Sequence, residues 1–170
     1  ETIGAREVSI IAQPLAAAIG AGVPVADATG ALVVSAGAGE LQAACVALGT
    51  QTAWKTSQTA GWAAAMRITT LLKDNHHFLI SDQTAQQLLE TVVSVQKAQR
   101  SKQVVGKSAL SGAPQEFLIK SALLNEAGLV VAQSCAELVK DLLKTMDASL
   151  MVDVVAKGIV LTGGLSQLVG

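Results

Sequence analysis

The chain has 170 residues, 51% of them apolar and only 15% charged, with a formal net charge of −1. That length fits one domain, or one large domain with a small appended lobe, and so apolar a composition excludes an intrinsically disordered chain. The near-zero net charge gives no electrostatic basis for nucleic-acid binding or for an anionic membrane surface, and no run reaches the ~18 apolar residues of a membrane span.

Charged content below the usual ~25% leaves part of the surface to be covered by a partner or by another piece of the same protein. No secretory leader is visible, and a start at Glu1 rather than Met reads as a fragment whose N-terminus lies elsewhere. Cys45 and Cys135 stand far apart inside apolar patterns, as expected of buried, reduced thiols in a cytoplasmic protein.

In chain order, Val8–Ile11 reads as a short apolar strand, and Pro14 opens a helix through Leu15–Ile19 that Gly20 and Gly22 end. After a turn at Asp27–Gly30, the segments Ala31–Ser35, Leu41–Leu48 and Gln51–Ser57 form a three-stranded meander. In the second of these, both alternating sets are largely apolar, which predicts a sheet covered on both faces. Gly61–Asn75 reads as a helix with Met66, Ile68, Leu71 and Leu72 on its apolar side. Asp82 is placed to cap a helix over about Gln83–Arg100, burying Leu88, Leu89, Val92, Val93 and Val95. Ser101–Pro114 is polar, with strand candidates at Val104-Val105 and Phe117–Ile119, and suggests a small lobe. A long helix follows over about Lys120–Met146, with Leu124, Ala127, Val131, Cys135, Leu138 and Leu142 at helical spacing. A short helix, Leu150–Ala156, carries Met151, Val154 and Val155 and is capped by Gly158. A strand at Ile159–Leu161 then runs into Thr162-Gly163-Gly164 and the start of another helix.

The run Ala31–Glu40 carries the most chemistry. A buried strand enters a turn containing Gly37 and Gly39, and a second strand leaves it. Glycines let backbone N–H groups approach an anion closely, so this is phosphate-hairpin geometry. The polar residues oppose that use: Ser35 stands where a metal-handling carboxylate would be useful, and Glu40 puts a negative charge where phosphate oxygens would lie.

The segments Ala5–Gly22, Thr29–Val34 and Lys157–Gly164, together with Gly61 opening a helix and the Thr84-Ala85 helix start, resemble the bacterial actin homologues of the MreB type. The resemblance covers nearly the whole chain and corresponds to the second half of that fold, subdomains IIA and IIB. It implies an α/β, ribonuclease-H-like actin-type half, a mixed sheet flanked by helices with a small α+β lobe. Residues 1–82 and 121–170 would form IIA, and residues 83–120 the IIB-like lobe. It also implies ATP and magnesium in a cleft between two halves, and cytoplasmic filaments that lie on the inner membrane face and set cell shape through cell-wall synthesis.

The departures from that family gather at the site. The family's glutamate before the helix-opening proline, which positions the hydrolytic water, is Gln13 here, and an amide cannot serve as a carboxylate base. The family's loop, Asp-x-Gly-Gly-Gly-Thr-Thr-Glu, reads here from Ser35 to Gln42, so its magnesium-organising Asp is Ser35 and its first Thr is Glu40. An acid beside polyphosphate costs on the order of 1–4 kcal/mol per charge pair at ~4 Å. Trp62 follows Gly61 where the family has Asp, Leu89 and Thr91 align with its ribose-side Lys-x-Glu, and Leu165 replaces a third Gly after Gly163 and Gly164. Gly37, Gly39, Gly61, Gly163 and Gly164 are the positions that match the family's nucleotide-binding residues. No catalytic residue and no metal ligand is carried over, and no cofactor is expected in this chain. Natural loss of ATP use and deliberate redesign of an isolated half both fit this pattern.

Several features have ordinary readings. The hairpin can turn without a ligand, Gly163-Gly164 can be a strand-to-helix turn rather than an adenosine contact, and Trp62 can simply pack. His76 and His77 are adjacent and so face apart on a helix, which suits a solvated helix end better than a metal site. Lys97, Arg100, Lys102 and Lys107 suit a solvated lobe face.

The leading expectation is a structural, cytoskeletal half-molecule, impaired in ATP hydrolysis. Its expected partners are copies of itself in filaments, a missing N-terminal half and other cell-shape proteins, with no nucleic acid and only indirect membrane contact. The alternatives are a working ATP-binding actin-like ATPase, a chaperone relative of the DnaK or EutJ type, and an engineered stand-alone domain.

Overall fold

The protein is described here by a computed structural model that covers residues 4, 6–96 and 99–168. Helix α1 (Gln13–Gly20), with Pro14 in its first turn, precedes the strands β1 (Ala31–Ala36), β2 (Leu41–Ala47) and β3 (Thr50–Ser57). The three strands form the expected antiparallel meander, Val34 opposite Ala43 and Ala44 opposite Trp54. Strand β7 (Ile159–Thr162) returns 128 residues after the start of β1 to lie parallel to it, Leu32 opposite Ile159 and Ser35 opposite Thr162, giving the order β3-β2-β1-β7.

Every residue of β1 and nearly every residue of β2 is buried, because these two strands are covered on both faces, whereas β3 and β7 are largely exposed or half-buried. On one face Leu32, Val34, Leu41, Ala43 and Cys45 join the main core; on the other, Val33 and Val46 pack against Ala18 of α1. The main core is closed by α2 (Gly61–His76) and α4 (Ser121–Leu143), through Ala64, Ile68, Leu72, Leu124, Ala127 and Leu142. Among the described helices α4 alone is long and apolar enough, by length and mean hydropathy, to cross a membrane, although polar residues interrupt its apolar runs. It lies along the sheet with a buried stripe from Leu124 to Leu142 and exposed Glu126, Glu137, Lys140 and Asp141. Met66 is not on the buried side of α2; it is 70% exposed, because the stripe runs through Ala64, Ile68 and Leu71 and position 66 falls off it.

Strand β4 (Phe78–Leu79), then α3 (Asp82–Thr91), β5 (Ser101–Ser108) and β6 (Pro114–Lys120) follow α2, and the three strands make a second antiparallel sheet in the order β4-β5-β6. Phe78, Val104 and Ile119 from this sheet belong to the same core as the first. Helix α3 is shorter than the sequence suggests and is capped one residue earlier. Ser81 is its N-cap, accepting the Thr84 N–H at 3.2 Å, and Asp82 occupies the first turn, where its charge suits the helix dipole. The helix ends at Thr91 because Val92 and Val93 turn inward as buried residues outside it. Val93 fills a notch over Gly128 of α4, where a Cβ would come within 2.9 Å of its Cγ1. Val95 follows outside the helix, and Lys97 lies outside the described residues.

Val8–Ile11 forms no strand. The described sheets offer it no partner, and Ile10 is 98% exposed; an unpaired strand gains neither ladder hydrogen bonds nor burial. Helix α5 (Ala148–Lys157) buries Val154 and exposes Val155, which was expected on its apolar side. Its Asp153 carboxylate accepts the buried Gly30 N–H at 2.8 Å and ties the helix to the start of β1. The helix expected after Gly164 is a 3-10 turn, Gly164–Gln167.

Candidate functional site

Gln13, the first residue of α1, and Ser35, near the end of β1, meet: the Gln13 Nε2 donates to Ser35 Oγ at 3.1 Å. Ser35 is 6% exposed, so the pair is a local anchor in which neither group carries charge. Glu40 is half-buried, and its Oε1 accepts a short hydrogen bond from the Gln42 side-chain amide. Its carboxylate is therefore met by an amide dipole; among the described residues no cation pairs with it.

The hairpin closes with the Gly37 N–H donating to Glu40 O at 3.1 Å. It also satisfies the start of α2. The Gly61 N–H donates to Gly37 O at 3.3 Å and the Trp62 N–H to Ala38 O at 2.7 Å. These are among the N–H groups that a helix N-terminus offers to an anion, and here hairpin carbonyls take them. The Trp62 indole then lies against Gly39, its Cζ3 3.3 Å from where a Cβ would stand.

Gly163 comes to the same place from β7. It holds φ 89° and ψ 168°, and a Cβ there would sit 2.3 Å from Ala36 O. Only glycine fits that backbone, so the turn that follows is pressed against the end of β1. The hairpin, α2, α3 and this turn together enclose a cavity of about 520 Å³, within the range of small-molecule sites. Ala38, Gly61, Trp62, Leu89, Leu165 and Leu168 supply its apolar wall. Gln86, Gln167 and Glu90 supply its polar groups, and among the described residues Glu90 is the only ionisable one.

Of the residues singled out in the sequence, Gly61 and Gly164 line this cavity, Gly39 and Gly163 lie directly behind it, and Gly37 holds the hairpin to α2. Gln13 falls elsewhere. It lines a smaller pocket of about 200 Å³ with Gln42, Gln51, Trp54 and Lys55. Gln86 and Glu90 were not singled out. Their spacing of four, which puts both on one face of a helix, was the available signal.

His77 ends α2 in the left-handed conformation, and the His76 ring stands 5.0 Å from that of Phe117; among the described residues no group of three His, Cys, Asp or Glu could hold a metal. Arg100 and Lys107 are exposed and Lys102 half-buried on or beside β5. Both cysteines are free; Cys45 is buried as expected, whereas Cys135 is only half-buried, and that partial burial pushes its thiol up from its ordinary range.

The family model for MreB/Mbl protein matches residues 1–170. The chain is 32% identical to the cell shape-determining protein MreB of Escherichia coli over 163 residues, covering 95% of this chain and 47% of that protein. It is 27% identical to the cell shape-determining protein Mbl of Bacillus subtilis, covering 100% and 52%. The chain thus spans about half the length of the curated relatives it matches. The fold matches MreB5 of Spiroplasma citri bound to ADP with a TM-score of 0.92, at 26% identity, over 98% of this chain and 51% of that one. The MamK double helical filament shares the fold, with a TM-score of 0.72 at 19% identity, over 92% and 47%.

Proposed function

The chain belongs to the MreB/Mbl family, and from that premise we propose that it works as a structural, cytoskeletal element in the cytoplasm, assembling through its surfaces without hydrolysing ATP. The observation that carries this reading is the Gln13–Ser35 hydrogen bond. It ties an amide to a hydroxyl at the two positions where the resemblance puts a water-positioning carboxylate and a magnesium-organising one. Neither residue can take a proton from water at neutral pH or offer a hard anionic ligand. The Gly37 and Ala38 carbonyls take the Gly61 and Trp62 N–H groups, which removes anion donors at the start of α2, beside the hairpin. A magnesium–triphosphate group therefore does not fit the residues present.

Relatives with about twice this length are named for determining cell shape, and MamK, which shares the fold, forms a double helical filament. Assembly with copies of itself, with a complementary half or with other cell-shape proteins is the corresponding role for this chain. Apolar side chains left at the surface, among them Val8, Ile10, Met66 and Val155, are suited to such contacts.

Sedimentation and electron microscopy of the protein, with and without ATP and magnesium, test the proposal alongside a phosphate-release assay. Assembly that is indifferent to nucleotide, with phosphate release at background, is the expected result. Assembly that requires ATP, or phosphate release that scales with protein concentration, overturns it.

A further inference from the structure

We infer that the cavity between the hairpin, α2, α3 and the Gly164–Gln167 turn is a binding site for an amphiphilic organic monocation. The inference goes beyond filament formation, and it rests on the reading above only in that this cleft does not hold ATP. Three observations carry it.

The first is charge. Among the described residues Glu90 is the only ionisable side chain on the wall, and none of their cations forms an ion pair with it. A ligand that enters therefore meets one unneutralised carboxylate and no lysine or arginine. That arrangement favours a cation and repels phosphate.

The second is the indole. Trp62 shares the cavity with Glu90, is steadied against Gly39, and remains 59% exposed. An indole face is the best aromatic partner for an organic ammonium group. The third is the rest of the wall. Leu89, Leu165 and Leu168 offer an apolar body its complement, while the Gln86 and Gln167 amides can orient a polar substituent. The departures noted in the sequence at positions 62, 89 and 165 all act in one direction here, each placing a large apolar side chain in this cavity.

The test uses the protein carrying Trp54→Phe, which leaves Trp62 as its only indole. Indole fluorescence is followed while benzyltrimethylammonium, neutral benzyl alcohol or ATP with magnesium is added. Saturable quenching by the cation, about tenfold weaker in a further Glu90→Gln variant, is the expected result. Benzyl alcohol should bind weakly and equally to both proteins. Because Glu90 is exposed on α3, Glu90→Gln leaves the fold intact. Three outcomes overturn the inference: no saturation by the cation, equal affinity in the Glu90→Gln variant, or tighter binding of ATP than of the cation. The functional reading is separated by sedimentation of the same protein. ATP-requiring assembly together with cation binding that ATP does not displace overturns that reading alone; cation binding lost on addition of ATP overturns both; nucleotide-indifferent assembly without cation binding overturns this one alone.

Discussion

Gly163→Ala tests whether the turn after β7 is fixed by its contact with β1. Two costs add. The backbone at Gly163, φ 89° and ψ 168°, lies in a region that is essentially restricted to glycine, worth about 1–3 kcal/mol for a residue bearing a side chain. The new methyl would also stand 2.3 Å from Ala36 O and 2.7 Å from Ala36 C. Those atoms belong to a strand paired on both sides, so they cannot swing away as a flexible side chain would, and relieving the overlap costs about another 1–3 kcal/mol. The expected loss is about 2–6 kcal/mol, a large share of the ~5–15 kcal/mol that holds a domain together. Urea unfolding followed by circular dichroism measures it. Hydrogen exchange at Leu161 and Thr162 shows whether β7 leaves β1 before the rest unfolds. Gly164→Ala is the control, because nothing lies within 4 Å of its added methyl, and it should stay within about 0.5 kcal/mol of the parent. If Gly163→Ala matched that control with an unchanged urea slope, the close approach of turn and strand would be refuted.

Other perturbations follow from the same contacts. Gly106→Ala should cost about 1–3 kcal/mol in urea unfolding, because its methyl would meet Leu79 O at 2.5 Å and the Phe78 ring at 2.6 Å, where β4 crosses β5. Asp153→Ala should lower stability by about 1–3 kcal/mol, since it leaves the buried Gly30 N–H without its 2.8 Å acceptor, while Asp153→Asn should recover part of the loss. At the end of α4, the hydrogen bond and charge of Lys144 hold the exposed Asp141 carboxyl below its ordinary pKa. The linked stabilisation is present above the unfolded carboxyl's pKa and is lost as pH falls through the lowered value. Lys144→Ala should return the Asp141 midpoint upward in an NMR titration, and an unmoved midpoint would show that the pair does not form in solution.

The meander and its hairpin were legible because both depend on local pattern: short apolar runs over 31–36 and 41–47 and two glycines between them. What escaped was set by distant neighbours. Val92, Val93 and Val95 fit a helical stripe in sequence, yet the notch that Val93 fills is made by Gly128 on another helix. Val8–Ile11 has the alternation of a strand, but a strand also needs a neighbour, and the described sheets provide none. At the site, the chemistry of residues 13, 35 and 40 was readable one residue at a time. That Gln13 bonds to Ser35 depends on α1 crossing the meander, and that Glu40 turns to Gln42 depends on the side-chain directions at the hairpin's exit. Glu90 stands between Leu89 and Thr91 with no motif of its own in the sequence. Only the fold places it in one cavity with Trp62.

Calorimetric titration of the protein with ATP and magnesium, beside a variant carrying Gln13→Glu, Ser35→Asp and Glu40→Thr, tests the central claim most directly. The account predicts no saturable heat from the unmodified protein and tighter binding by the variant. Micromolar binding by the unmodified protein would contradict the account and return ATP-driven assembly as the function of this chain.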